Sequence, residues 1–308
     1  MKKFFLSFVL VFSFGFHLFS QIDSDYMLKK GEEYVAGQKY IYEFRDGTIA
    51  IGTYIRSGEG NIYITDLSGE EMYIPKIMVA QIHEANKDNL RGDEYWFPNL
   101  HDTRYFFSPT AFGLKEGEGY YSHSYWLLWQ FQYGFSDNFS LGGGTSIFGI
   151  PASLNGKFNG EISEDVNAAA GWFWVGDLFG WSGGDAEDRT LINMPYGVVT
   201  YGSEEKNFTL GAGFNLSDQF SGNDDRLVLN AGATFRAGRR FAFVFEGWIF
   251  EPLTDEPSFL GGPGIRYFRK INRVTARNGA GASTWDFQLL MNPDFDGVIP
   301  TFGASRKF

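Results

Sequence analysis

The chain contains no cysteine. Disulfide staples, thiolate nucleophiles and cysteine-held metals are therefore excluded. A lipoprotein anchor, which needs a cysteine at the cleavage point, is excluded too. Positive charge is also scarce, with 26 Lys and Arg against 37 Asp and Glu and a net charge of −11. Phosphate contacts need clustered cations, so no nucleic-acid partner is expected. Histidine is rare, at four. Beyond the start of the chain, no apolar run is long enough for a membrane helix. A chain of this kind can be integral to a membrane only as a closed barrel.

Aromatic residues are abundant instead. They make up 19% of the 308 residues, with 33 Phe, 16 Tyr and 8 Trp, and glycine reaches 39. Transmembrane barrels display aromatic girdles at both interfaces, and their alternating strands keep the average hydropathy near neutral. The mean hydropathy here is −0.21.

The start reads as a secretory signal peptide over residues 1–20. Lys2 and Lys3 form the basic region, Phe4–Phe19 the apolar run, and Ser20 and Gln21 follow. A membrane anchor is the alternative, but the run is short for one.

Residues 22–85 are expected to form a small periplasmic β-domain. Short apolar runs at Tyr40–Phe44, Thr48–Ile55, Asn61–Asp66, Met72–Ile74 and Met78–Ile82 predict five strands. The breaks carry turn chemistry, Asp46-Gly47 above all. Phe44-Arg45-Asp46-Gly47-Thr48, with Ile62-Tyr63-Ile64 and Ile74-Pro75, resembles the strand pattern of Sm-like and SH3-like folds. Residues 86–102 read as a linker that turns aromatic at Tyr95, Trp96 and Phe97.

From 103 to 308 a period of two dominates, and the fold class is all-β. Phe208, Leu210, Ala212 and Phe214 share one face, while Thr209, Gly211 and Gly213 take the other. Twelve such runs are expected, near 103–113, 119–135, 139–149, 154–162, 166–177, 190–201, 207–216, 226–236, 240–250, 258–268, 284–291 and 298–308. An even count suits a single-chain antiparallel barrel with both ends on one side. Alternate connections are short, as barrel asymmetry requires, except for the long, basic 269–283. A soluble β-sandwich is the competing reading.

The last run resembles the closing strand of Gram-negative outer-membrane barrel proteins. Phe302, Ala304 and Phe308 share one parity, and Thr301, Gly303 and Ser305 the other. Arg306 departs from the pattern, on a parity where the family prefers an apolar residue. The resemblance implies an outer-membrane location, lipid as surroundings, and recognition of Phe308 by the barrel-assembly machinery.

Candidate chemistry is thin. His123 sits between Ser122 and Ser124, but neighbours on a strand face opposite ways. Its parity puts it on the lipid side, so no catalytic residue is assigned. His83 and His101 lack metal-ligand spacing partners, and neither a metal nor a cofactor is expected. Asp185-Ala186-Glu187-Asp188 is acidic but lacks the spaced pattern of a calcium loop. Parity points four charges into the barrel: Arg236, Glu246, Arg266 and Asp286. On neighbouring strands they are expected to form a ladder of alternating sign, either tuning passage or filling the lumen as structural pairs.

The expected function is a non-enzymatic outer-membrane barrel, a narrow pore or a small-solute or lipid-handling channel. The alternatives are a barrel-anchored adaptor, whose small domain binds a periplasmic partner, and an outer-membrane lipid hydrolase.

Overall fold

The computed structural model describes residues 34–308 apart from 47, 87–89, 126, 182, 184–188, 218–225, 255–256, 271–281 and 293–296. The expected signal peptide, the acidic loop 185–188 and most of 269–283 lie outside the described residues. The chain divides into two compact units, Met1–Ala85 and Asn86–Phe308.

The first unit is a five-stranded antiparallel sheet. Its strands are β1 (Lys39–Phe44), β2 (Ile49–Ser57), β3 (Asn61–Asp66), β4 (Glu71–Pro75) and β5 (Val79–Glu84), in the order β4-β3-β2-β1-β5. A single 3-10 turn, Lys76–Met78, joins the last two. Tyr40, Tyr42, Ile62, Ile64, Ile74 and Val79 form the core. Period-two runs of β-branched and aromatic residues suit a sheet with one buried face. The sheet is tight at Gly52, where a β-carbon would lie 2.6 Å from Ile64 Cδ1.

The second unit opens with a two-residue pair, β6 (Leu90–Arg91) with β7 (Glu94–Tyr95). A closed barrel of twelve antiparallel strands follows. It comprises β8 (Gly119–Ser124), β9 (Leu128–Ser136), β10 (Phe139–Ser146), β11 (Ala152–Ser163), β12 (Val166–Gly176), β13 (Thr190–Gly202), β14 (Lys206–Phe214), β15 (Leu227–Gly238), β16 (Phe241–Phe250), β17 (Ser258–Lys270), β18 (Ser283–Met291) and β19 (Val298–Lys307). β19 pairs with β8 and closes the ring.

The wall has two chemistries. Phe131, Leu141, Phe158, Leu210, Phe243 and Phe287 are exposed on its outer face. Thr200, Thr209, Asn230, Glu246, Arg266 and Gln288 are buried on its inner face. A greasy exterior around a polar interior is the arrangement of a membrane-spanning barrel, and it does not occur in a sandwich that buries its apolar face.

The two rims differ. Where the chain enters and leaves the barrel, the connections 137–138, 164–165, 203–205 and 239–240 are short, and 271–282 is the long exception. On the far rim, 177–189, 215–226 and 251–257 are longer.

The strand count of twelve is reached by a different route from the one the pattern predicts. The run 103–113 is no strand of the wall. Its bent backbone lies inside the barrel, and Pro109, which cannot donate to a ladder, marks the run as unsuited to the wall. The run 119–135 is two strands, β8 and β9. The chain reverses at Tyr125, whose φ is 51°. One strand lost and one gained leave the parity of the later runs unchanged.

Candidate functional site: the occupied lumen

Residues 99–118 run into the barrel and return to begin β8. The segment turns back on itself through a Tyr105 N–H to Ser108 carbonyl bond of 2.8 Å and a bridge between Arg104 and Pro109. Tyr105, Ser108, Thr110 and Ala111 are buried, whereas Phe107 at the turn is 41% exposed. This segment is a plug made from the protein's own chain.

Two glycines make room for it. A β-carbon on Gly232 would collide with the ring of Tyr105. One on Gly264 would meet both the neighbouring strand's Phe287 carbonyl oxygen and, at 2.6 Å, Phe106 Cζ. A glycine in a strand often marks the close approach of another part of the structure, and here it admits two aromatic rings. Tyr105 also bonds Asn207 Oδ1 at 2.8 Å and Thr209 Oγ1 at 2.7 Å through its hydroxyl.

Four inward side chains grip the plug backbone. Glu246 Oε2 accepts the N–H groups of Phe106, Phe107 and Ser108 at 3.1, 2.9 and 2.9 Å. Arg266 donates to the carbonyls of His101 at 2.6 Å, Arg104 at 3.2 Å and Tyr105. Asp286 holds the same guanidinium from the other side, with Nε to Oδ1 at 2.9 Å and Nη2 to Oδ2 at 3.1 Å. Such two-pronged pairs are both strong and directional. Lys157 gives its three protons to Thr103, Phe112 and Thr110 carbonyls, at 3.2, 2.6 and 3.0 Å. Thr200 Oγ1 accepts the N–H of Ala111 at 2.8 Å.

A second group of contacts fixes the chain at the near rim. Glu205 accepts the N–H of Asn99 at 2.7 Å and pairs with Arg236 at 3.0 Å. The Arg236 guanidinium lies 4.6 Å from the ring centre of Phe97 and 4.1 Å from that of Phe268. Lys307 and Glu118 pair at 3.1 Å beneath the returning limb.

The four charges singled out by parity all lie on the inner face, but they make no ladder of alternating sign. Arg266 and Asp286 pair directly, on cross-strand neighbours. Glu246 bonds backbone amides and Arg236 pairs with a turn residue, because the plug lies across the lumen between them. Pattern reading missed Lys157, Gly232 and Gly264. Lys157 shares the inward parity of Asn155 on β11, so its charge in a polar-face position was a usable signal.

His123 lies on the outer face, opposite Ala304, with its ring 5.1 Å from that of Trp129. His101, a residue of the plug, is in the lumen with its Nδ1 3.4 Å from Ser305 Oγ, and both residues are buried. A substrate has no path to that pair in this arrangement. His83 lies in the first unit, 3.7 Å from Glu43. Among the described residues no cluster of His, Asp and Glu could hold a metal ion. Phe308 stacks on Phe131 with ring centres 5.3 Å apart, and its backbone pairs with Gly119.

No protein-family model matches this chain, and no curated protein matches it. Solved barrels are similar in architecture. The NanC porin is 9% identical, with a TM-score of 0.41 over 62% of this chain and 98% of that one. The outer membrane protein OprD from Pseudomonas aeruginosa is 10% identical, with a TM-score of 0.31 over 88% and 92%. OmpT, an outer membrane protein of Vibrio cholerae, is 11% identical, with a TM-score of 0.28 over 88% and 95%. The similarity is one of general barrel architecture.

Proposed function

We propose that this protein is a non-catalytic outer-membrane barrel that handles small solutes and is closed at rest by its own residues 99–118. The near rim, with its short turns, faces the periplasm, and the first unit is a periplasmic domain. The observation that carries the reading is the way the plug is held. Polar groups of the wall bind its backbone, while few of its side chains pack into apolar clusters, chiefly Tyr105 and Phe106 with Val244, and Ala111 with Ala169 and Val198. Water can replace hydrogen bonds at little net cost, whereas it cannot replace apolar packing. A segment held by hydrogen bonds is therefore suited to displacement.

Planar-bilayer recording tests this. The wild-type protein is expected to open rarely, and Glu246→Ala, which removes three acceptor contacts, is expected to raise the open fraction. If neither protein conducts at any voltage, the gated-pore reading is wrong and the barrel is only an anchor.

The anchor reading has an observation of its own. The first unit exposes Tyr73, Ile77 and Met78, at 62%, 69% and 46%, around β4 and the turn that follows it. Clustered exposed apolar residues mark interaction surfaces. Specific capture of a periplasmic protein that is lost with Tyr73→Ser and Ile77→Ser would support an adaptor.

A further inference from the structure

The plug does not fill the barrel. A cavity of about 150 Å³ remains beside it, against Phe107 and Pro109. Its lining is divided by chemistry. On β9 and β11 it carries the carboxamides of Gln130, Gln132 and Asn155. On β12, β13 and β16 it carries the rings of Phe173, Tyr196 and Trp248.

The charges that reach this cavity are committed. All three protons of the Lys157 ammonium go to plug carbonyls. The Arg104 guanidinium bonds the carbonyls of Tyr105 and Phe106 and lies 3.9 Å from Asp286. The amides are freer. Gln132 gives one bond to Ser140 Oγ at 3.1 Å, and Asn230, also in the lining, gives one to Ser108 Oγ at 2.7 Å. Each keeps its carbonyl oxygen, and Gln130 and Asn155 keep both halves of their amides for a guest.

These features select a ligand class. A carboxamide both donates and accepts, and so matches a hydroxyl, which also does both. An aromatic face suits the C–H side of a saturated ring. A charged guest would leave water for a cavity with no free counter-ion. A hydrocarbon guest would leave the amides unsatisfied. We propose that this cavity binds one uncharged sugar ring, with its hydroxyls on Gln130 and Asn155 and its apolar face on Phe173 and Tyr196. The proposal deepens the solute-handling reading and rests on it for its purpose. Its test, however, is binding, which needs no conduction.

The experiment uses the full chain in a sugar-free detergent. Saturation-transfer NMR follows titrations with D-glucose, D-galactose, N-acetyl-D-glucosamine and D-glucuronate up to about 100 mM. At least one neutral sugar is expected to bind saturably, about tenfold tighter than glucuronate. Gln130→Met and Asn155→Leu are each expected to weaken that binding about fivefold or more. Both are lumen residues outside the plug's contacts, and heat-modifiable migration on a gel identifies the folded barrel. Phe173→Leu, which keeps an apolar wall but removes the ring, is expected to weaken binding without unfolding. The proposal is overturned if no neutral sugar binds, if glucuronate binds as well as the neutral sugars, or if folded Gln130→Met and Phe173→Leu bind like the wild type. Binding without conductance would leave this inference standing and remove the gate. Conductance without binding would do the reverse.

Discussion

Glu246 Oε2 takes the backbone N–H of Ser108 at 2.9 Å, and the two preceding N–H groups converge on the same oxygen. The two residues are far apart in sequence, and one belongs to the wall while the other belongs to the plug. A buried carboxylate with three N–H donors is satisfied without a cation. Every surviving bond from that oxygen therefore reports that the plug is in place.

Glu246→Gln should loosen the turn without unfolding the barrel. The amide can still offer one oxygen to the three N–H groups, but an uncharged one, so each bond is weaker. The loss of a buried charged acceptor is worth about 2–3 kcal/mol. Hydrogen exchange read by mass spectrometry should show the amides of 106–108 exchanging about 30- to 100-fold faster. Unchanged protection there would show that Glu246 does not hold the turn.

Arg266 and Asp286 should not respond symmetrically. Asp286→Asn leaves the guanidinium bound to three plug carbonyls. Arg266→Met removes those bonds and also leaves the Asp286 carboxylate with only the more distant Arg104, at 3.9 Å. Breaking a buried pair costs about 3–5 kcal/mol, so Arg266→Met should fall in that range and Asp286→Asn below it. The double replacement Arg266→Met with Asp286→Leu should recover part of the loss, because the carboxylate that lost its two-pronged partner is gone as well, while Arg104 keeps its bonds to plug carbonyls. Urea unfolding in lipid vesicles gives the order, and equal effects of the two single changes would contradict it.

Much of the wall could be read from the pattern, because each strand must alternate to face lipid and lumen. Phe208 and Leu210 against Thr209 and Gly211 leave little choice. The plug was not legible, for a physical reason. A segment folded back inside a polar lumen also mixes apolar and polar residues, so Tyr105, Phe107, Pro109 and Ala111 imitate a strand. Only Pro109 and the partner glycines separate the two cases. Gly232 and Gly264 look like ordinary small inward residues until the rings above them are known. Inward charge could be read at Arg236, Glu246, Arg266 and Asp286, because parity alone sets it. The plug contacts of Glu246 and Arg266 could not, since they are made to backbone groups that carry no side-chain signal.

In the first unit, acid should release the β3–β4 turn. Asp66 Oδ1 accepts the Ser68 hydroxyl at 2.6 Å, the Ser68 N–H at 2.9 Å and the Glu70 N–H at 2.9 Å. The Ser68 hydroxyl, followed by the Glu70 amide, holds the Asp66 carboxyl below its ordinary 3.8. A lowered carboxyl pKa stabilises the fold above the unfolded value, and the gain is lost as pH falls through the folded value. NMR of the turn amides should therefore show the Ser68 and Glu70 resonances moving only below pH 3.8. In Asp66→Asn that transition should be absent. A wild-type transition at or above the ordinary value would refute the assignment.

The plug and the wall should be thermodynamically coupled through Tyr105 and Gly232. Valine is a good strand residue, so Gly232→Val should be neutral or favourable in an empty barrel. Here its side chain would occupy the space of the Tyr105 ring, and overpacking costs about 1–3 kcal/mol. Tyr105→Ala alone removes a buried ring and its bonds to Asn207 and Thr209, at about 3–5 kcal/mol. With the ring gone, the valine fills the space it left. The double variant should therefore be more stable than Tyr105→Ala by at least the strand preference of valine over glycine. The coupling in the cycle should reach about 1–3 kcal/mol, well above the few tenths typical of independent sites. Additive effects would mean that the ring does not rest on Gly232 in the folded protein.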